Sequence, residues 1–221
     1  LGVRWWTETA SYVPTLPDLT VPALDVRYVP PLRYREALYN TLTGRGLADD
    51  ARRTKFLVRE KLNGHHNTIP AEWGGSYYLI GWCHTFEQLM PPSKYFKEHP
   101  DWYSEIGGER TGEHSQLCCT NDEMIAELSK QVLATIAKRP DAGMISVAQN
   151  DWGGNCQCEK CKAMDTAEGS PSGSLIYCVN KVAEAVEREY PGFLVETLAY
   201  QYTRKPPKHI RPRGNVIVRL A

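Results

Sequence analysis

The 221 residues are 42% apolar and 24% charged, a composition that excludes a disordered tail and suffices for one large core or two small ones. Its 26 basic residues balance 26 acidic ones, so neither a global field nor a basic stripe favours nucleic acid or an anionic membrane. No apolar run approaches the ~20 residues of a membrane span, and the opening Leu1-Gly2-Val3-Arg4-Trp5-Trp6 has no signal-peptide pattern. The chain is therefore expected to be an internal piece of something longer.

Residues 1–22 hold Trp5, Trp6 and Tyr12 and then a proline-containing run without periodicity, which reads as the end of a preceding unit plus a linker. Asp25-Val26-Arg27-Tyr28-Val29 alternates as a strand would and stops at Pro30-Pro31. Ala48 to Asn63 has helical spacing, with Asn63-Gly64 as a left-handed stop. The loop that follows, from His65 to Gly75, contains Glu72. Its adjacent His65 and His66 would face opposite ways on extended chain, which argues against a shared metal.

Tyr77 to Phe86 is a predicted strand with a polar end at Cys83-His84-Thr85, and Pro91 to Tyr103 a short helix stopped at Pro100. Ser115 to Cys119 is a third short strand. Thr120-Asn121-Asp122-Glu123 then forms a capping box opening a helix whose face is Met124, Ile125, Leu128, Val132, Leu133 and Ile136. Met144 to Ala148 completes a strand, helix, strand unit of the kind that makes parallel sheets. It ends abruptly in Gln149-Asn150-Asp151-Trp152, as a buried strand does when it delivers polar groups to the rim of a site.

Behind that rim comes Cys156-x-Cys158-x2-Cys161, three of seven cysteines within six residues. Three close thiols are compatible with a disulfide, with free thiols, or with a structural zinc whose fourth ligand is Cys83, His84 or Cys178. Each of these would pin the loop after Asp151. Farther on, Ser172 or Ser174 caps a helix running to Tyr190. Phe193 to Thr203 is a strand on which Tyr200 and Tyr202 share a face, and Asn215 to Ala221 is another.

About six strands alternate with helices, and the G-x-G-x-x-G turn of a dinucleotide-binding sheet is missing. The predicted fold class is therefore α/β, a (β/α)8 TIM-barrel-like domain over residues 23–221. It is incomplete, since a full barrel takes eight strands and ~250 residues, so the protein is expected to continue beyond Ala221.

Several motifs then carry a resemblance: His84-Thr85-Phe86, the segment Tyr95 to Tyr103, Gln116-Leu117-Cys118, and Gln149-Asn150-Asp151-Trp152 with Cys156, Cys158 and Cys161. Together these are similar to a bacterial family, domain of unknown function 4838, which overlaps glycoside hydrolase family 163. On that resemblance residues 1–22 end a small α/β domain that precedes a barrel. It also implies an extracellular or periplasmic glycoside hydrolase acting on N-acetylhexosamine-containing glycans in the manner of an endo-β-N-acetylglucosaminidase. In the substrate-assisted, retaining mechanism the 2-acetamido oxygen is the nucleophile, so the enzyme needs a proton donor and a group that orients the acetamide.

Position at a strand end makes Asp151 the expected acid and Asn150 the orienting group. Glu72, His84, Trp152, Glu196, Tyr200 and Tyr202 are the expected substrate-binding residues, with Glu72 and Glu196 as substitute acids. No cofactor is expected beyond the structural zinc already mentioned, and the expected partner is a glycan, not a nucleic acid. The alternative is a glycan-binding or structural barrel module, which would line a groove with aromatic rings and point no carboxylate into it. A zinc-dependent hydrolase is a third reading, and it would require an open coordination position.

Overall fold

The computed structural model describes residues 2–38, 42, 50–66 and 68–221, and they divide into two compact units, 1–78 and 79–221. The boundary expected after residue 22 falls inside the first unit. That unit contains a small antiparallel hairpin of β1 (Arg4–Trp5) and β2 (Ser11–Tyr12) and a helix, α1 (Asp50–Arg59). Its core gathers Leu42, Phe56, Leu57 and Ile69.

Three expectations change here. Asp25 to Val29 is not a strand. Its apolar members Val26 and Val29 are 78% and 73% exposed, so nothing is buried that would repay strand formation. The helix expected from Ala48 begins, among the described residues, at Asp50, since Ala48 and Asp49 lie outside them. It ends at Arg59, and the left-handed residue beyond it is Lys61 (φ 58°) rather than Asn63 or Gly64. Asn63 instead clamps the chain, its side chain accepting from Arg35 N and donating to Arg33 O.

The second unit is built on a four-stranded sheet of β3 (Tyr78–Ile80), β6 (Ala142–Ser146), β7 (Leu194–Ala199) and β8 (Val216–Leu220), hydrogen-bonded in that order. β6 runs parallel to β7, with Ser146 opposite Glu196, and β7 parallel to β8. Between β3 and β6 lie α2 (Phe86–Leu89), α3 (Pro92–Tyr95), the hairpin β4 (Glu105–Ile106) and β5 (Glu109–Arg110), and α4 (Asp122–Ala137). Helices α5 (Glu159–Glu168) and α6 (Ser172–Glu189) connect β6 to β7.

Helix α4 buries the expected stripe of Met124, Ile125, Leu128, Val132 and Ile136. That stripe meets Val179, Val182 and Val186 of α6 and Ile145 and Val195 of the sheet in one core. Its cap is Asn121 rather than Thr120: Asn121 Oδ1 accepts from Met124 N at 3.0 Å. Neither serine tried as a cap for α6 serves. Ser170 Oγ accepts from Ser172 N and Asp165 Oδ1 from Ser174 N, so residues ahead of the helix satisfy its first donors.

Helix α5 went unpredicted because it buries only Cys161 and Glu168 and so shows no apolar stripe to read. Ser115 to Cys119 is also not a strand; it holds one isolated bridge, Tyr103 to Leu117. The described sheet accordingly has four strands where the sequence suggested about six. No described helix is long and apolar enough to cross a membrane.

Candidate functional site

The loops leaving the carboxyl ends of the strands are laced together. After β3, Gly81 turns the chain in the left-handed region (φ 68°), and a Cβ there would press on Thr85 Cγ2 at 2.8 Å, so glycine is required twice over. Thr85 then locks this loop onto the end of β6, donating to Ser146 O and accepting from Ala148 N. Between them sits His84, itself left-handed (φ 55°), a conformation that costs a non-glycine residue free energy and persists only where its surroundings enforce it.

Those surroundings orient its ring. His84 Nδ1 lies 2.9 Å from the Gln149 carbonyl. A carbonyl can only accept, so Nδ1 carries hydrogen and Nε2 is the atom presented to the site. Nε2 faces Asp151 Oδ1 at 3.6 Å, and the Tyr200 hydroxyl donates to that same oxygen at 2.9 Å. Imidazole, carboxylate and phenol thus converge from the ends of β3, β6 and β7. Asp151 keeps 60% of its side chain exposed, whereas Gln149 is fully buried, donating to Tyr200 O and accepting from Thr203 Oγ1.

The other expected site residues lie as follows. Asn150 is buried and both ends of its amide are engaged, Oδ1 by Glu87 N and Nδ2 by Ser115 O. Trp152 is half-buried, its indole N–H donating to Ser115 O and its ring edge-on to His114. Glu196 lies inside the sheet, 2% exposed, with Oε1 3.0 Å from Arg219 Nε; the Arg219 guanidinium in turn covers the Trp82 ring at 4.1 Å.

Tyr202 does not share a face with Tyr200. The strand ends at Ala199, and a 3-10 turn at Gln201–Thr203, with Gln201 left-handed (φ 50°), abolishes the two-residue alternation. Tyr202 turns instead toward Leu117, Cys119 and Leu175, where burial pushes its hydroxyl well above its ordinary value. Glu72 stands exposed on a 3-10 turn, Ala71–Trp73, in the first unit.

Two further residues hold this rim through contacts that the sequence did not assign to them. Buried Gln116 accepts from Asn150 N and donates to Trp152 O, so it fixes the exit loop on both sides of Asp151. A long-range amide clamp of this kind has no local pattern to announce it. Arg219 is the other: it lies on β8 two residues beyond Ile217, the partner of Glu196, so strand register brings it to the same face and within 3.0 Å of the Glu196 carboxylate.

The cysteine cluster acquires a fourth member that sequence spacing did not offer. Cys118 joins Cys156, Cys158 and Cys161, all buried, with the four sulfurs within 4.8 Å of one another. None is disulfide-bonded. The Cys118 thiol is driven far below the ordinary thiol value by hydrogen bonds from Cys156 and Cys161, while Cys156 is pushed up to about 12, chiefly by Cys118. Proximity is the cause: one buried thiolate draws on its neighbours' hydrogens and forbids a second negative charge.

A second polar cluster lies in the first unit. His65 and His66 occupy a turn rather than extended chain, and both rings meet Glu36, His66 Nδ1 at 2.8 Å from Oε1 and His65 Nδ1 at 3.4 Å from Oε2. Tyr34 also donates to this carboxylate. Burial raises the Glu36 carboxyl, but the bonds from His65, Tyr34 and His66 outweigh it and hold the group at about 2.

The fold and site together define a mixed α/β protein with a parallel sheet whose polar residues gather at the strands' carboxyl ends. The chain belongs to the family described as Domain of unknown function (DUF4838), whose model matches residues 5–221. No curated protein and no solved structure matches it.

Proposed function

We propose that the chain is a barrel-type glycoside hydrolase acting on glycans that contain N-acetylhexosamine, working outside the cytoplasm. The sheet order supports the architecture. Strands β3, β6, β7 and β8 follow one another in space as they do in sequence, the winding of a (β/α)8 barrel. A doubly wound sheet would instead reverse at a switch point.

The observation that carries the reading is the exposed Asp151 carboxylate, bracketed by Tyr200 OH and His84 Nε2 at the strand ends. A solvent-facing carboxylate held between a phenol and an imidazole is the arrangement a general acid–base needs. In the proposed reaction the protonated Asp151 carboxyl gives its proton to the leaving glycosidic oxygen while the substrate's own acetamide oxygen attacks the anomeric carbon. The resulting Asp151 carboxylate then takes a proton from the water that opens the cyclic intermediate. Tyr200 holds the carboxylate in register. Asn150, with its amide already bonded to two loops, fixes the Asp151 backbone instead of receiving the acetamide.

The test is incubation of the protein and its Asp151→Asn variant with a complex N-glycan, following release of a core sugar. The wild type is expected to release it, and loss of the acid–base group should slow release by roughly 100-fold or more. Undiminished activity in the variant would remove Asp151 from the mechanism. A wild-type protein inert toward N-acetylhexosamine glycans would sink the substrate assignment.

A further inference from the structure

We propose that Cys118, Cys156, Cys158 and Cys161 bind one zinc ion in a closed, structural tetrathiolate centre. The distances point to a metal rather than to bridges. Cys118 Sγ lies 3.7 Å from Cys158 Sγ and 3.9 Å from Cys161 Sγ. Zinc–sulfur bonds of ~2.3 Å in a tetrahedron put neighbouring sulfurs about 3.8 Å apart, whereas a disulfide needs about 2.05 Å. All four sulfurs fall within 4.8 Å of one another, so one ion can reach every one of them.

The surroundings are those of a thiolate centre. Four thiolates around a divalent ion leave a net double negative charge, which a buried site must offset. Glu105 N–H points at Cys156 Sγ from 3.5 Å and Arg110 Nη1 from 3.6 Å. Cys158 occupies the position just before α5 and Cys161 lies in its first turn, where the helix dipole favours negative sulfur. Thr120 Oγ1 stands 3.1 Å from Cys161 Sγ and can donate to it.

Four buried protein ligands leave no position for water or substrate, so the ion's role is to hold the fold. It ties three separate stretches together: the turn before α4 through Cys118, the loop leaving Asp151 through Cys156 and Cys158, and α5 through Cys161. The hairpin β4–β5 rests against Cys156 Sγ through Glu105 and Arg110.

The centre stands independently of the glycosidase reading, because its test needs no substrate. Metal analysis of the intact protein, purified without added metal, should give one zinc per chain. A thiol-specific mercurial should release that zinc as four thiols react. Cobalt exchanged into the site should show the intense visible bands of a tetrahedral thiolate complex. The Cys118→Ser variant should lose the zinc and melt roughly 10 °C lower or more, while Cys83→Ser, outside the cluster, should keep its full equivalent. The wild-type analysis does not depend on any variant folding. Four free thiols without metal, disulfides among these cysteines, or iron in place of zinc would each overturn the proposal.

Discussion

At Glu36 a single carboxylate is held by three donors, His65, His66 and Tyr34, and Gly64 beside it has no room for even a methyl group against that side chain. Because the group's folded value of about 2 lies below its ordinary 4.5, the carboxylate stabilises the fold above about pH 4.5. That contribution is lost as pH falls toward 2. The depression corresponds to at most about 3 kcal/mol. Urea titrations of the wild type and Glu36→Gln should therefore differ by about a kcal/mol or more at pH 7 and converge only as pH falls to about 2 or below. A gap independent of pH would show that packing, not ionisation, sets the difference.

Helix α4 can be tested as an element. Its N-terminus depends on one side-chain bond, Asn121 Oδ1 to Met124 N, with Asp122 and Glu123 favourably placed in its first turn. Replacing Asn121 with Ala should cost about 1 kcal/mol, measured as a shift in the denaturant midpoint at constant slope. Leu128 in the middle of the stripe is fully buried, and Leu128→Ala should cost roughly 2–5 kcal/mol as a cavity opens between α4 and its neighbours. This helix was legible in the sequence because its buried stripe repeats every three to four residues. Its cap was misplaced by one residue because Thr120 and Asn121 are both good capping types, and Thr120 lies instead beside Cys161.

At the scale of the whole molecule, the proposed zinc centre links segments that share no secondary structure. Chelation should raise hydrogen exchange around residues 116–120 and 153–161 first, while the amides between β6 and β7 stay protected. Uniform loss of protection would mean that the cluster supports the entire second unit rather than its loops. The same scale explains why the alternating pattern of Asp25 to Val29 misled. Alternation signals a strand only if a partner exists to cover one face, and Val26 and Tyr28, which would share that face, are both exposed.

Local pattern determined α4, α6, the strands β6, β7 and β8, and the rim at Gln149 to Trp152, because burying a periodic apolar face leaves a short-range trace in the residues themselves. Three of the four cysteines were legible for the same reason, spaced within six residues. What only the tertiary structure decided is who meets whom. Cys118 reaches Cys158 across 40 positions, Tyr200 reaches Asp151 across 49, and Gln116 reaches Asn150 across 34. Such pairings arise from sheet order and loop closure, which are properties of the packed chain and leave no periodicity along it.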